Sequence, residues 1–366
     1  SPDELAHSSI TVAAARLREA MGLEPDEPLD DLMYEAERLG VGKAHKGLDI
    51  KWDPELERYL GAGIKKTFDA HQIVKALYRP FCSRALYFDR HFIGRQYQMP
   101  AIFQDGRAEN IAIAFSDRGA RSPFSTLAGT AIPELHLCAS TDAFQVVPRY
   151  AFKAESAARV DNITDWGLEQ FKKHYTPGRE KAKRPITKDA IFHYVYGVLH
   201  DPVYREKYAL NLKREFPRIP FYPDFWTWVA WGEELMNLHI GYETVEPAAL
   251  KRTDVVDPKT KDTGTSPKLI LKADNEAGRI VLDSETTLSG IPEAAWDYRL
   301  GNRCALEWIL DQYKEKKPKD PTIREKFNTY RFADYKEKVI DLILRVTTVS
   351  VRTVAITKAM EKAPRS

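Results

Sequence analysis

The chain has 366 residues, 43% of them apolar and 30% charged, so it can fill the cores of two or three domains. No run approaches the roughly 18 consecutive apolar residues of a membrane span, no basic-then-apolar leader opens the chain, and three scattered cysteines (Cys82, Cys138, Cys304) fit a reducing cytosol better than a disulfide framework. The net charge of +2 hides a segregated distribution, and Ser1 in place of Met leads us to expect a piece of a longer cytoplasmic protein.

Residues 1–64 carry 7 Lys/Arg against 14 Asp/Glu. Ala13, Leu17, Ala20 and Met21, then Leu32, Ala36 and Leu39, keep helical spacing on either side of Glu-Pro-Asp-Glu-Pro, so this part reads as an acidic helical connector to an upstream module. Residues 65–121 reverse the balance, with 10 basic residues against 5 acidic. Within them, YRPFCSRALYFDRHFIGRQYQMP (78–100) holds four arginines, one aspartate, six aromatics and the amides Gln96 and Gln98. Arginine and glutamine grip phosphates or base edges with two parallel hydrogen bonds, and aromatics this dense form a core or a stacking surface.

From Ala101 short β-like runs are expected at 101–103, 110–115, 134–139 and 143–148, with a polar loop at 116–130 bearing Arg118, Gly119 and Arg121. Residues 172–188, with 7 basic residues against 1 acidic, read as a basic loop. Residues 187–241 are helical: Thr187 caps a first helix, Asp201-Pro202 opens a second, and a third from Asp224 carries Phe225, Trp226, Trp228 and Trp231 around its circumference, as a buried helix does. A polar, proline-containing stretch at 243–267 reads as a long loop or a subdomain crossing, 268–285 as a hairpin turning through Asn275 to Gly278, and Arg303–Lys314 and Asp334–Met360 as helices. The fold class is therefore α+β, with short mixed or antiparallel sheets and a large helical subdomain. Four parts are expected: 1–64, the 65–186 α/β part, the 187–242 helical scaffold, and 243–366 with hairpin and helices.

Catalytic signatures are missing. The sequence has no GxxxxGK[ST] loop, and Gly61-Ala62-Gly63 lacks the third glycine of a dinucleotide site. No Asn/Asp-Pro-Pro-aromatic motif of an amino-methyltransferase is present. His136 and Cys138 have no second pair at zinc-like spacing and read as neighbours on a strand; Glu315-x-Lys317 reads as a solvated charge run, and His193, His200 and His239 as core or capping histidines.

Taken together, 78–89 with RQYQMP (95–100), FHYVYGVLHDPVYREKY (192–208), FPRIPFYPDFW (216–226), GEELMNLH (232–239) and SGIPEAAWDYRLGNRCALEWILDQYK (289–314) resemble the C-terminal target-recognition region of Type ISP restriction–modification enzymes and their predicted-helicase relatives. The likeness runs over roughly 50–345 in the same order. It implies a non-catalytic, sequence-specific duplex-DNA recognition module that serves a nuclease, an ATPase and an adenine methyltransferase upstream on the same polypeptide. It also implies that S-adenosylmethionine, ATP and magnesium belong to those modules and none to this chain.

The contacts themselves are nominated by chemistry, since cations position a duplex and directional donors read it. The phosphate candidates are Arg84, Arg90, Arg95, Lys172, Lys173, Arg179 and Lys181, for which a solvated basic surface or internal ion pairs is the alternative. The base-reading candidates are Gln96, Gln98, Arg118 and Arg121, with Gln96 and Gln98 alternatively decorating a strand face; Arg79 reads as a buried structural arginine. The rival function is a protein-docking module with an acidic front and aromatic surfaces, and a small cryptic nuclease stands third.

Overall fold

The computed structural model describes residues 54–365 except 94, 140, 154–157, 177–183, 257–265, 318–323 and 325–327. Most of the acidic connector, together with Arg179 and Lys181, therefore lies outside the described residues. Two compact units divide the chain. The first takes the described residues up to Val74, Ala85–Tyr97 and Glu315–Arg331; the second takes Lys75–Arg84, Gln98–Lys314 and Phe332 onward.

In the first unit, α1 (Pro54–Gly61) starts on a proline and places Glu55 and Glu57 in its first turn, where the helix dipole favours negative charge. Asp69 then caps a short 3₁₀ turn at Ala70–Gln72 by accepting the His71 N–H. Asp89 is the polar anchor here. It pairs with Lys66 at 2.9 Å and accepts from the backbone N–H of His91 at 2.8 Å. Burial opposes its ionisation, but these hydrogen bonds hold its carboxyl below the usual range. Around it Tyr59 meets His91 edge-on and Phe68 stacks on Tyr87.

The strands β1 (Ile73–Arg79) and β2 (Cys82–Tyr87) form a hairpin through which the chain passes between the units. Its turn is Pro80-Phe81, with Phe81 at φ 56 although it is not glycine. A positive φ after proline fits a type II turn. Phe81 is held there because its ring is buried against Tyr242, Tyr298 and His239.

Among its described residues the second unit contains four further sheets, the smallest a two-stranded ladder of Arg299–Leu300 with Arg303–Cys304. β3 (Ala112–Ser116) is buried at all five residues and runs antiparallel between β4 (Thr126–Gly129) and β6 (Phe144–Pro148), which explains its apolar run from Ala112 to Phe115. Ile132–Pro133 (β5) pairs parallel with β1. β7 (Tyr150–Phe152) and β8 (Arg159–Asp161) form a small ladder. Towards the C-terminus a four-stranded antiparallel sheet has the order β10-β11-β12-β9, where β9 is Lys251–Asp254, β10 Leu269–Asp274, β11 Arg279–Asp283 and β12 Thr286–Ser289.

The helices α4 (Lys188–His200) and α7 (Phe225–Ile240) form the centre. They cross backbone to backbone: a Cβ on Gly232 would sit 1.8 Å from the His193 carbonyl oxygen, and one on Gly197 would sit 2.8 Å from that of Trp228. Only glycine fits such a crossing. Tyr194, Tyr196, Trp228 and Leu235 are fully buried around it, each large side chain contributing roughly 1.5–3 kcal/mol. After α8 (Ala294–Asp297) and α9 (Ala305–Gln312), the long α10 (Lys336–Glu361) packs beside them and buries Val339, Ile343, Val346 and Val349.

Several expectations hold. Thr187 caps α4 by accepting the Ala190 N–H, Asp201 opens α5 (Pro202–Lys207) by accepting that of Val203, and the 268–285 hairpin is β10–β11. Other expectations are corrected. Residues 101–103 belong to a helix, α2 (Met99–Phe103), with Pro100 in its first turn. Residues 134–139 are turns, so His136 and Cys138 are not on a strand. The basic stretch beginning at Lys172 starts inside α3 (Asp165–Tyr175), which Thr164 caps by accepting the Gly167 N–H. The polar stretch at 243–267 hides the edge strand β9, which pairs with β12.

Candidate functional site

The loop between β3 and β4 is built by one carboxylate. Asp142 is buried, and its Oδ2 accepts the backbone N–H groups of Arg121 and Ser122 at 3.1 and 2.8 Å. Burial would raise its pKa, but those two N–H groups and the Arg121 guanidinium outweigh it and hold the carboxyl at about 2. A second tie comes from Gly119, at φ 79, whose N–H donates to the Lys213 carbonyl at 2.7 Å. The loop backbone is therefore fixed while its cations point to solvent. Arg118 is exposed, with its guanidinium over the Phe216 ring at 5.8 Å. The Arg121 side chain is 75% exposed; Nε reaches Asp142 Oδ1 at 3.4 Å, and Nη2 donates to the Thr141 hydroxyl.

Beside this loop lie three cations that the sequence reading passed over. Arg205 on α5, Lys213 just past α6 (Ala209–Leu212), and Arg299 on the short strand β13 (Arg299–Leu300) line one cavity together with Arg121. The run REKYALNLKR (205–214) was a visible local signal of charge. Arg299, 86 positions beyond Lys213, gave none.

The remaining candidates occupy other surroundings. Arg84, on β2, donates to the Gln312 carbonyl at 3.4 Å and lies 5.2 Å from the Tyr313 ring centre, so it is partly engaged within the fold. Lys172 pairs with Glu169 at 2.8 Å on α3, whereas Lys173 is exposed. Gln98 is exposed at the N-terminal end of α2 without making a side-chain cap, next to Tyr97, which is 61% exposed at φ 47. In the first unit Arg90 and Arg95 are exposed, and Gln96 is half-buried with its amide donating to the Phe88 carbonyl at 3.4 Å. Neither glutamine lies on a strand. Arg79 fits the structural role expected of it: it is half-buried, ion-paired with Glu134 and stacked over Tyr78.

Among the described residues no group of three or more His, Cys, Asp or Glu side chains is arranged to hold a metal ion, and no helix is long and apolar enough to cross a membrane. A mixed α+β scaffold that presents a pinned, cation-bearing loop defines a binding module. The chain belongs to the Type ISP C-terminal specificity domain family, whose model matches residues 13–342. Three solved structures share its fold. One, a DrdV–DNA complex, is 44% identical over 97% of this chain with a TM-score of 0.83. Another, the ATP-dependent Type ISP restriction–modification enzyme LlaBIII bound to DNA, is 23% identical over 87% with a TM-score of 0.70 and supports the fold alone. The third, a nuclease-deletion mutant of the Type ISP enzyme LlaGI in complex with a DNA substrate mimic, is 28% identical over 86% with a TM-score of 0.68. The chain spans 34%, 20% and 27% of the lengths of those three chains. No curated protein matches it.

Proposed function

We propose that the chain is the DNA target-recognition module of a multidomain restriction–modification enzyme, non-catalytic in itself, working in the cytoplasm. The observation that carries this reading is the loop pinned by Asp142, which offers Arg118 and Arg121 on a fixed backbone in a domain of the specificity family. Preorganised arginines are the side chains best suited to bidentate contact with guanine edges, and a good pair contributes roughly 1–3 kcal/mol of discrimination. Lys213 and Arg299 beside them, and Lys173 on α3, would position phosphates.

The lengths of the DNA-bound relatives support catalytic modules elsewhere on the same polypeptide. Residues 1–64 would lead to them. S-adenosylmethionine, ATP and magnesium would be used there, and the methyltransferase would receive a target adenine flipped from the duplex once this module has read its surroundings.

Binding of the purified chain to duplex pools at two salt concentrations tests the reading. Phosphate-anchored binding through six or more contacts loses about 10³-fold in affinity between 50 and 200 mM salt, and the recovered duplexes share a sequence. Failure to bind any duplex at 50 mM salt would overturn it in favour of a protein-docking role.

A further inference from the structure

The cavity beneath the Asp142 loop has a volume of about 580 Å³, within the usual range of small-molecule sites. Its walls combine three chemistries. Pro123, Phe124, Pro202 and Val354 supply flat apolar surface. Arg121, Arg205, Lys213 and Arg299 supply positive charge, against the carboxylates of Glu206 and Asp297. Asp297 is already committed to Lys358 at 3.7 Å.

The third component is two buried polar atoms left without partners. His200 is 2% exposed; its Nδ1 is engaged with the Tyr196 carbonyl, and its Nε2 has no hydrogen-bond partner. Tyr298 is 6% exposed, its ring stacks on His239 with centroids 5.3 Å apart, and its hydroxyl is also unpartnered. Both residues line this cavity. Buried polar groups almost always find hydrogen-bond partners; these two atoms sit in the cavity's wall with almost no accessible surface of their own, so a ligand engages them through a small shift of the side chains. Arg205 points the same way: it donates from Nε to the Leu199 carbonyl at 2.6 Å, pairs with no carboxylate among the described residues, and burial holds its guanidinium below its ordinary pKa.

A ligand that answers all three features has a flat ring for the apolar walls, ring or sugar heteroatoms for His200 Nε2 and the Tyr298 hydroxyl, and an anionic group for the arginines. We propose that this cavity binds a nucleoside monophosphate unit, either a free nucleotide or a nucleotide swung out of a DNA strand. In its strand form the proposal rests on the DNA-recognition reading; in its free form it stands without it.

Calorimetric titration of the full chain tests it, with dAMP, deoxyadenosine and inorganic phosphate as separate probes. A duplex carrying a single-adenine bulge is compared with its unbulged counterpart. The expected result is that dAMP binds at least tenfold more tightly than deoxyadenosine, and that Arg299→Gln removes this advantage. Tyr298→Phe lowers dAMP affinity about tenfold while leaving the melting temperature unchanged or higher, because it deletes an unpartnered hydroxyl. A purely structural tyrosine would not show that split. Bulge preference that disappears in Tyr298→Phe assigns the site to a strand nucleotide; dAMP binding with indifference to the bulge assigns it to a free nucleotide. Binding of dAMP without any duplex binding retains the cavity and sinks the DNA-recognition reading instead. Absence of both dAMP binding and bulge preference, or dAMP binding untouched by both variants, overturns the proposal.

Discussion

Arg365 closes a two-pronged ion pair on Asp201, with Nε 3.0 Å from Oδ2 and Nη2 2.6 Å from Oδ1. Asp201 is 0% exposed and serves three partners at once: it caps α5 through the Val203 N–H, accepts the Tyr222 hydroxyl at 3.1 Å, and takes the Arg365 fork. The segment after α10 is thereby fastened to the junction of α4 and α5. Removing one member of a buried pair leaves an uncompensated charge, so Arg365→Ala should cost about 3–5 kcal/mol. Asp201→Asn combined with Arg365→Ala should cost less than the sum of the single changes. Urea titration of the four proteins checks this, and strictly additive losses would contradict the coupling.

The α4–α7 crossing admits no side chain. Because a Cβ at Gly232 would fall inside the His193 carbonyl, Gly232→Ala must force the two helices apart rather than merely crowd a side chain. Overpacking of this kind costs about 3 kcal/mol or more. By contrast, Gly61→Ala meets nothing within 4 Å and should change stability little. Thermal melts of the two variants side by side provide the comparison.

Local chemistry made some of this legible in the sequence. Thr187 and Asp201 announced helix starts because a cap needs only residues two or three positions away, and Asn275 to Gly278 announced a turn for the same reason. What depends on distant pairing was illegible. Lys251–Asp254 has four exposed residues and no alternation, and it is a strand only because β12 lies beside it. The three-residue apolar run at 101–103 carries no period of its own, so Pro100 and the packing around α2 decide that it is helical. In the site, Arg118 and Arg121 were visible as a polar, glycine-bearing loop. The carboxylate that pins the loop is 21 residues beyond Arg121, and Arg205 and Arg299 reach the same cavity from two other elements. Sequence spacing holds no trace of that meeting.

Cations on the pinned loop and on an open helical face should separate in their effect on DNA selection. Arg118→Ala and Arg121→Ala should each relax preference at one base position, costing about 1–3 kcal/mol on the preferred duplex and much less on others. Lys173→Ala, on an exposed helical face, should weaken every duplex alike and lower the salt slope by about one. Asp142→Asn should act like the arginine changes, because it loosens the loop that carries them. Binding to a randomised duplex library before and after each substitution distinguishes the two patterns, and uniform losses for all of these variants would remove the loop from base reading.

Acid should unfold the second unit through its buried histidines. The Tyr196 hydroxyl accepts the Ala128 N–H and donates to His239 Nδ1 at 2.6 Å, leaving His239 Nε2–H to donate to Thr353 Oγ1 at 3.0 Å. That arrangement needs a neutral ring. Burial, and then the charge of Arg205, pull His239 down to about 3; the same causes, with His239 itself, hold His200 well below its ordinary value. In the unfolded chain both titrate near 6.5. The folded form therefore binds fewer protons below that pH, so its stability is complete above about 6.5 and declines as pH falls towards 3. Each histidine contributes about 1.4 kcal/mol per pH unit in that window, which predicts a loss of roughly 3 kcal/mol between pH 7.5 and 5.5. His193, lowered chiefly by burial, adds in the same direction. The Asp142 carboxyl is ionised in both the folded and the unfolded chain between pH 7.5 and 5.5 and stays silent there; below about pH 5 it adds to the loss, because it titrates at about 2 in the fold and at about 3.9 in the unfolded chain. Urea midpoints across this range should fall steeply for the native chain and about half as steeply for His239→Gln, whose amide keeps the two hydrogen bonds without titrating. A flat profile in the native chain would mean that these rings are charged in the fold.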